Sequence, residues 1–199
     1  MSFLEDIAAA LDREGIESRV HDDTMFVPIT PEIEIQFVVI DEQLPAANVY
    51  IAAADVDEDD EDFEAALVAV IFSAEDAVSA VAEHIATDEV VTVFRSLLEA
   101  ADERIAGLEF FPDAENHQLV FAEVGTEAEV HVEVEVIDAT ATAHVQFVVP
   151  GDDEEADSEE LDLGSFTDID RLFDVLNLVA DQAEDWESQM LPLDDEPGQ

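Results

Sequence analysis

The sequence contains neither cysteine nor lysine among its 199 residues. The absence of cysteine excludes disulfide bonds, thiolate metal sites and thiol nucleophiles. Without lysine, five arginines are the only side chains with a permanent positive charge. Nucleic acids and anionic membranes are bound mainly through clusters of lysine and arginine. We therefore expect neither nucleic acid nor a membrane as a direct partner.

Long apolar runs and the common catalytic motifs are also missing. No window approaches the roughly 20 apolar residues of a membrane span, and the first residues lack the pattern of a secretory signal. These absences favour the cytoplasm. Glycine-rich nucleotide loops, the serine-hydrolase elbow and the His-Glu-x-x-His zinc motif are absent as well. We expect a protein that is not an enzyme and has no cofactor.

Acidic residues dominate what is present. The chain has 54 aspartates and glutamates and a formal net charge of −49, yet 48% of its residues are hydrophobic. The hydrophobic content predicts a packed core beneath an acidic surface, since disordered chains combine high charge with low hydrophobicity. This composition resembles the proteome of haloarchaea that hold molar potassium chloride in the cytoplasm. We therefore expect folding to strengthen as potassium chloride rises.

The first half begins and ends with helical patterns. Ser2 precedes apolar residues at helical spacing and Gly15 follows them, while Ser73 opens a second helix. The apolar run 65–72 is compatible with either a strand or a helix, and the acidic run 57–62 is predicted to be a solvated loop. Strand patterns occupy 16–20, 25–29, 33–40 and 49–55.

The second half follows the same plan. A helix is predicted to start at Thr87 or Asp88 and to end at Gly107. Arg13 and Arg104 would then each lie in the last turn of the first helix of a half, where a cation offsets the helix dipole. Strand patterns occupy 108–111, 117–123, 128–137 and 142–149, followed by a predicted loop at 152–160 and a helix at 168–187.

Local matches between the halves indicate an internal duplication. The segment Gly15-Ile16-Glu17 corresponds to Gly107-Leu108-Glu109, and 32–41 corresponds to 129–138. The predicted fold class is α+β, with two tandem helix–four-strand–helix repeats whose antiparallel sheets are covered by helices on one face. The predicted domains are 1–87 and 88–190, followed by a flexible tail at 191–199.

The last predicted helix is apolar over more than one stripe. Such breadth predicts burial on two sides, between the halves, at a dimer contact or within the core. Trp186 either anchors a partner or attaches the end of the chain to its own domain. The residues predicted to bind a partner are Leu172, Phe173, Leu176, Val179 and Trp186.

A second candidate site lies on the polar face of a predicted hairpin. A register that places Val132 opposite Phe147 puts His144 opposite Glu135 and near Glu133. Histidines and carboxylates on a rigid sheet can bind a divalent metal, although on an acidic surface they commonly form loose ion pairs. The candidate metal residues are His131, Glu133, Glu135 and His144.

The order of elements over each half resembles the type III secretion chaperone-like fold, including its YbjN-type relatives. Those proteins place a helix after the third strand, where this chain has Leu44-Pro45-Ala46. The resemblance implies a dimeric, non-enzymatic protein that binds polypeptides. The first hypothesis is therefore a protein-binding or assembly module of a halophilic cytoplasm, either homodimeric or bound to another protein. The alternative is a small-ligand or metal-binding sensor or enzyme that uses the polar sheet face.

Overall fold

The predicted α+β class is confirmed by a computed structural model, which describes residues 2–41, 43–54, 65–151 and 158–190. These residues form three α-helices and two five-stranded antiparallel sheets. The chain divides into two compact units, Met1–Ile85 and Ala86–Gln199. The acidic run 57–62, the tail 191–199 and residues 152–157 of the predicted loop lie outside the described residues.

The first unit opens with helix α1 (Phe3–Arg13). Ser2 accepts a hydrogen bond from the Glu5 amide at 3.3 Å, and the Glu5 carboxylate accepts one from the Ser2 amide at 2.6 Å. This reciprocal pair is a capping box. Gly15 follows the helix in a left-handed conformation, with φ of 75°. Arg13 lies in the last turn, as the sequence predicted.

The first sheet is a meander in which each strand pairs with the next along the chain. Its inner face packs on α1 around Met25, Ile35, Phe37 and Val49. The undecided run 65–72 forms the last strand, so this sheet has five strands rather than the predicted four. The strands are β1 (Arg19–His21), β2 (Thr24–Pro28), β3 (Ile33–Val39), β4 (Ala47–Ala53) and β5 (Ala65–Ile71).

A single helix, α2 (Ala74–Leu98), replaces the two helices predicted on either side of residue 87. Ser73 caps it, since its hydroxyl accepts the Asp76 amide at 3.1 Å. Val81 belongs to the core of the first unit and Leu97 to that of the second. The apolar pattern therefore changes phase within a continuous helix, and the sequence prediction wrongly read this change as a break.

Helix α2 ends earlier than Gly107, where the sequence predicted its end. The Ala101 amide donates to the Ser96 carbonyl at 2.9 Å, and Ala100 has a left-handed φ of 47°. These contacts form a Schellman motif with alanine where glycine is usual. Arg104 lies beyond it in a 3₁₀ turn, Glu103–Ile105, so its predicted role at the end of the helix is wrong.

The second sheet is also a five-stranded meander. Its fifth strand begins at Glu159, within the segment predicted to be a loop, because an exposed edge strand tolerates carboxylates that local patterns assign to loops. Helix α3 (Ile169–Met190) covers the inner face of the sheet. The strands are β6 (Phe110–Pro112), β7 (Leu119–Val124), β8 (Ala128–Ile137), β9 (Thr140–Val149) and β10 (Glu159–Phe166).

The predicted register between β8 and β9 is wrong by two residues. Val132 lies opposite Val145, and Glu133, rather than Glu135, lies opposite His144. The cause is a two-residue turn at 138–139, where both φ values are positive. Such a turn fixes the pairing of the strands it joins. A shift of two preserves the faces, so the predicted alternation of buried valines and outward polar residues is retained along most of β8.

Candidate interaction surface

The strongest candidate for an interaction surface is the segment 65–72, which we call the β5 strip. It consists of β5 and Phe72, and it contains no charged residue in a chain with a net charge of −49. Leu67 is 56% exposed, Val68 and Val70 are each 43% exposed, and Phe72 is 67% exposed. A contiguous row of exposed apolar side chains is typical of a protein-binding site.

The position of β5 in its sheet also leaves backbone groups available. The sheet order ends at β5, whose hydrogen-bonded neighbour is β4. On its other side no strand pairs with it among the described residues. An edge strand presents unpaired N–H and C=O groups that can hydrogen-bond to an added strand.

The other sheet edges have features that discourage strand addition. β1 and β6 are only three residues long, and β6 contains Pro112. β10 is longer but includes Glu159, Glu160 and Asp162. Short strands, proline and charge are the usual protections of sheet edges. β5 has seven residues and none of these three protections. Its pairing with β4 does contain one register shift, between Val49 and Tyr50 of β4, and such irregularities also discourage strand addition.

The structure places most of the predicted partner-binding residues inside the second unit. Leu172, Phe173, Leu176 and Val179 are at most 5% exposed and belong to its core. Trp186 is half-buried and packs edge-on against Phe147, with ring centroids 5.5 Å apart. Burial in the core was one of the arrangements that the sequence left open for this helix. Leu172, Phe173, Leu176 and Val179 are therefore not available at the surface of this fold, whereas Trp186 is partly exposed.

Three of the four candidate metal residues have separate hydrogen-bond partners, and the fourth, Glu135, is exposed and lies opposite Thr142. His131 Nε2 lies 2.7 Å from Glu129, and Glu133 accepts a hydrogen bond from Asn116 at 3.0 Å. His144 Nδ1 lies 3.1 Å from the Ser165 hydroxyl. Within the part of the chain that the structure describes, no group of three or more histidine, aspartate or glutamate side chains is arranged to hold a metal ion.

The Arg104 guanidinium is instead the centre of a structural ion-pair cluster. It donates hydrogen bonds of 2.8–3.0 Å to Asp102, Asp170 and Asp174, and it lies 5.4 Å from the centroid of the Phe173 ring. The hydrogen bonds from Arg104 lower the pKa of Asp102 to about 2. This cluster attaches the 3₁₀ turn to the first turns of α3.

The second unit also has a small open cavity of about 230 Å³. Ala143, Phe166 and Leu172 contribute to its apolar lining, and Glu89 and Asp168 are exposed carboxylates beside it. The Asp168 carboxylate already accepts the Asp170 amide at 2.9 Å. The cavity lacks the converging buried polar groups that usually fix a ligand's orientation.

Comparisons with known proteins add no family assignment. No protein-family model matches the chain, and no curated protein matches it. None of the helices in the described ranges is long and apolar enough to cross a membrane. The β5 strip was not among the residues predicted to form a site. Its uncharged composition was visible in the sequence, but its exposure depends on its place as the last strand of the sheet.

Proposed function

We propose that this protein is a non-enzymatic protein-binding or assembly module, and that it binds an extended, uncharged strand of polypeptide along β5. The observation that supports this function is the exposed, uncharged β5 strip at the edge of a sheet. Addition of a strand to a sheet edge is a common mode of peptide recognition.

The chemistry of the strip defines the partner. Backbone hydrogen bonds along the free side of β5 select an extended chain, and the exposed Leu67 and Val70 side chains favour aliphatic neighbours. A cationic partner would be attracted to the acidic surface elsewhere in preference to this strip. The partner segment is therefore an apolar β-strand with little charge.

The cellular setting follows from the composition. With 54 carboxylates and no lysine, the protein is suited to the cytoplasm of a salt-accumulating cell, where screening reduces repulsion between its acids. The resemblance in element order to chaperone-like proteins favours the same functional class. On binding, the partner segment would exchange hydrogen bonds to water for backbone hydrogen bonds to β5, and no covalent bond would be made or broken.

A labelled synthetic peptide tests this function directly. The probe has the sequence of residues 65–72 with short uncharged flanks, and its binding is followed by fluorescence anisotropy in 2 M potassium chloride. We expect saturable binding that is weakened at least tenfold by Val70→Glu in the protein. Leu178→Glu is the matched control, since Leu178 is a similarly exposed residue on α3 and is 49% exposed.

A second peptide separates strand addition from nonspecific apolar contact. N-methylation at alternate residues removes backbone donors but keeps every side chain, so we expect this peptide not to bind. Equal binding of the methylated and unmethylated peptides would refute strand addition. Equal weakening by Val70→Glu and Leu178→Glu would refute the assignment to β5.

A further inference from the structure

We infer that the strand bound at β5 is the β5 strand of a second copy of this chain, paired antiparallel about a two-fold axis between Val68 and Ala69. This inference rests on the proposed function, because it identifies the partner of the same strip. The pairing would join two five-stranded sheets edge to edge.

Symmetry makes an antiparallel edge strand complementary to itself. In a two-fold dimer the same surface is used by both copies, and every contact occurs twice. The unpaired donors and acceptors of β5 therefore meet the same set in reverse order. No second sequence is needed to satisfy them.

The irregular pairing of β5 selects the position of the axis. Val70 lies opposite Asn48 and Leu67 opposite Tyr50, so these two strip residues share one face of the sheet. Ala66 and Ile71 lie opposite Ile51 and Ala47, which places both on the other face. An axis between Val68 and Ala69 pairs Leu67 with Val70 and Ala66 with Ile71. Each of these two pairs then lies on a single face, as directly opposed residues must, and the axis falls beside Val68, the residue of β5 that has no partner on β4.

An axis through Val68 itself fails this condition. It would oppose Leu67 to Ala69, which lies opposite Val49 and so belongs to the other face. With the axis between Val68 and Ala69, small residues also meet large ones. Ala66 opposes Ile71 on one face, an arrangement that lets their side chains interdigitate.

Charge favours a second copy at this edge over the other sheet edges. Residues 65–72 contain no carboxylate, and Asp76 Oδ2 accepts the Phe72 amide at 3.4 Å at the end of the strip. The long edge of the other sheet would oppose Glu159, Glu160 and Asp162 of one copy to those of another. Like charges directly opposite each other destabilise a strand pair.

The contact is short, which determines how strong the dimer will be. Stable interfaces commonly bury about 1,200–2,000 Å² in total, and a pairing of about eight residues in each copy falls at or below that range. We therefore expect a dimer whose population depends on protein concentration. Potassium chloride should increase the dimer fraction, because it screens repulsion between the remaining acidic surfaces.

The absence of native cysteine allows a clean cross-linking test on the full chain. Leu67→Cys and Val70→Cys are made separately at exposed positions and oxidised in 2 M potassium chloride, alone and as a mixture. Opposed residues bring their Cβ atoms within about 5.5 Å, which suits a disulfide. Each residue and its own copy would be about 7 Å apart along the strand, because the partners of Leu67 and Val70 on β4 are two residues apart. We expect the mixture to form at least fivefold more disulfide dimer than either variant alone.

The controls decide between this dimer and its alternatives. Leu178→Cys gives the rate of random collision, and sedimentation equilibrium measures association without cross-linking. Equal cross-linking by single variants and by the mixture would overturn the proposed register. A monomer at every concentration would overturn the self-pairing. In that case saturable peptide binding would still uphold the proposed function, and loss of both would reject it as well.

Discussion

Glu187 provides the sharpest test of how the second unit is held together. This residue of α3 is only 3% exposed, and its two carboxylate oxygens accept the backbone amides of Thr126 and Glu127 at 2.8 and 2.7 Å. Those amides belong to the turn between β7 and β8. A Cβ atom at Gly125 would lie 2.5 Å from Glu187 Oε2, so the carboxylate fits closely against the turn.

The magnitude follows from the two hydrogen bonds. A hydrogen bond to a charged group contributes about 1.5–3 kcal/mol, and part of that gain offsets the cost of burying the carboxylate. We expect Glu187→Ala to reduce the free energy of unfolding by about 2–4 kcal/mol, since it leaves both amides without this acceptor. Glu187→Gln retains one acceptor oxygen and turns its amide group toward the other N–H. It should therefore cost about 1–3 kcal/mol.

The assay must report on the second unit alone. Trp186 is the sole tryptophan and packs against Phe147, so its fluorescence during urea denaturation follows this unit. Glu184→Gln is the matched control, because it removes the same charge from an exposed position on α3. A difference below about 0.5 kcal/mol between Glu187→Gln and Glu184→Gln would refute the stabilising role of the two bonds. Unchanged amide exchange at Thr126 and Glu127 in Glu187→Ala would refute it independently.

Three further outcomes are expected. Ala100→Gly should stabilise the protein by about 0.5–1 kcal/mol in urea denaturation, because glycine adopts the left-handed conformation without steric cost. Ala106 has a right-handed conformation, so the control substitution Ala106→Gly should destabilise the protein. Arg104→Ala should raise the pKa of Asp102 from about 2 toward its ordinary value of 3.8 in an NMR titration, and Arg171→Ala should not. Because the folded-state pKa of Asp102 is depressed, the stabilisation from the Arg104–Asp102 pair is fully present above pH 3.8 and is lost as the pH falls through about 2. The difference in stability between Arg104→Ala and the unmodified chain should therefore narrow over that range, and the contacts of Arg104 with the Asp170 carbonyl and the Phe173 ring should leave a remainder. The thermal midpoint should rise between dilute buffer and 2 M potassium chloride, and an unchanged midpoint would contradict salt adaptation.

Local patterns predicted the elements that depend on neighbouring residues. The cap at Ser2, the cap at Ser73 and the burial of Val130, Val132 and Val134 all follow from spacing and side-chain chemistry. Each is fixed within a few residues along the chain or by the two faces of one strand. This explains why the fold class could be predicted from the sequence.

Features that depend on tertiary context were predicted less well. The continuous helix α2 has apolar residues directed to two cores, and no local rule distinguishes this change of phase from a break. The register of β8 and β9 depends on a turn at Asp138 and Ala139, which lacks the common Asn-Gly signal. The exposure of the β5 strip depends on strand order, which residues 65–72 alone do not specify.

The acidic surface and the uncharged strip have complementary effects on association. Near 1 M salt the screening length is about 3 Å, so charges farther apart hardly interact, while carboxylates in direct contact still repel. Net charge then ceases to prevent two copies from approaching, and the residues at the contact decide whether they associate. Most docking orientations bring carboxylates together and are disfavoured. Residues 65–72 themselves contain no carboxylate, so under the proposed self-pairing the acids on the rest of the surface would direct association to β5.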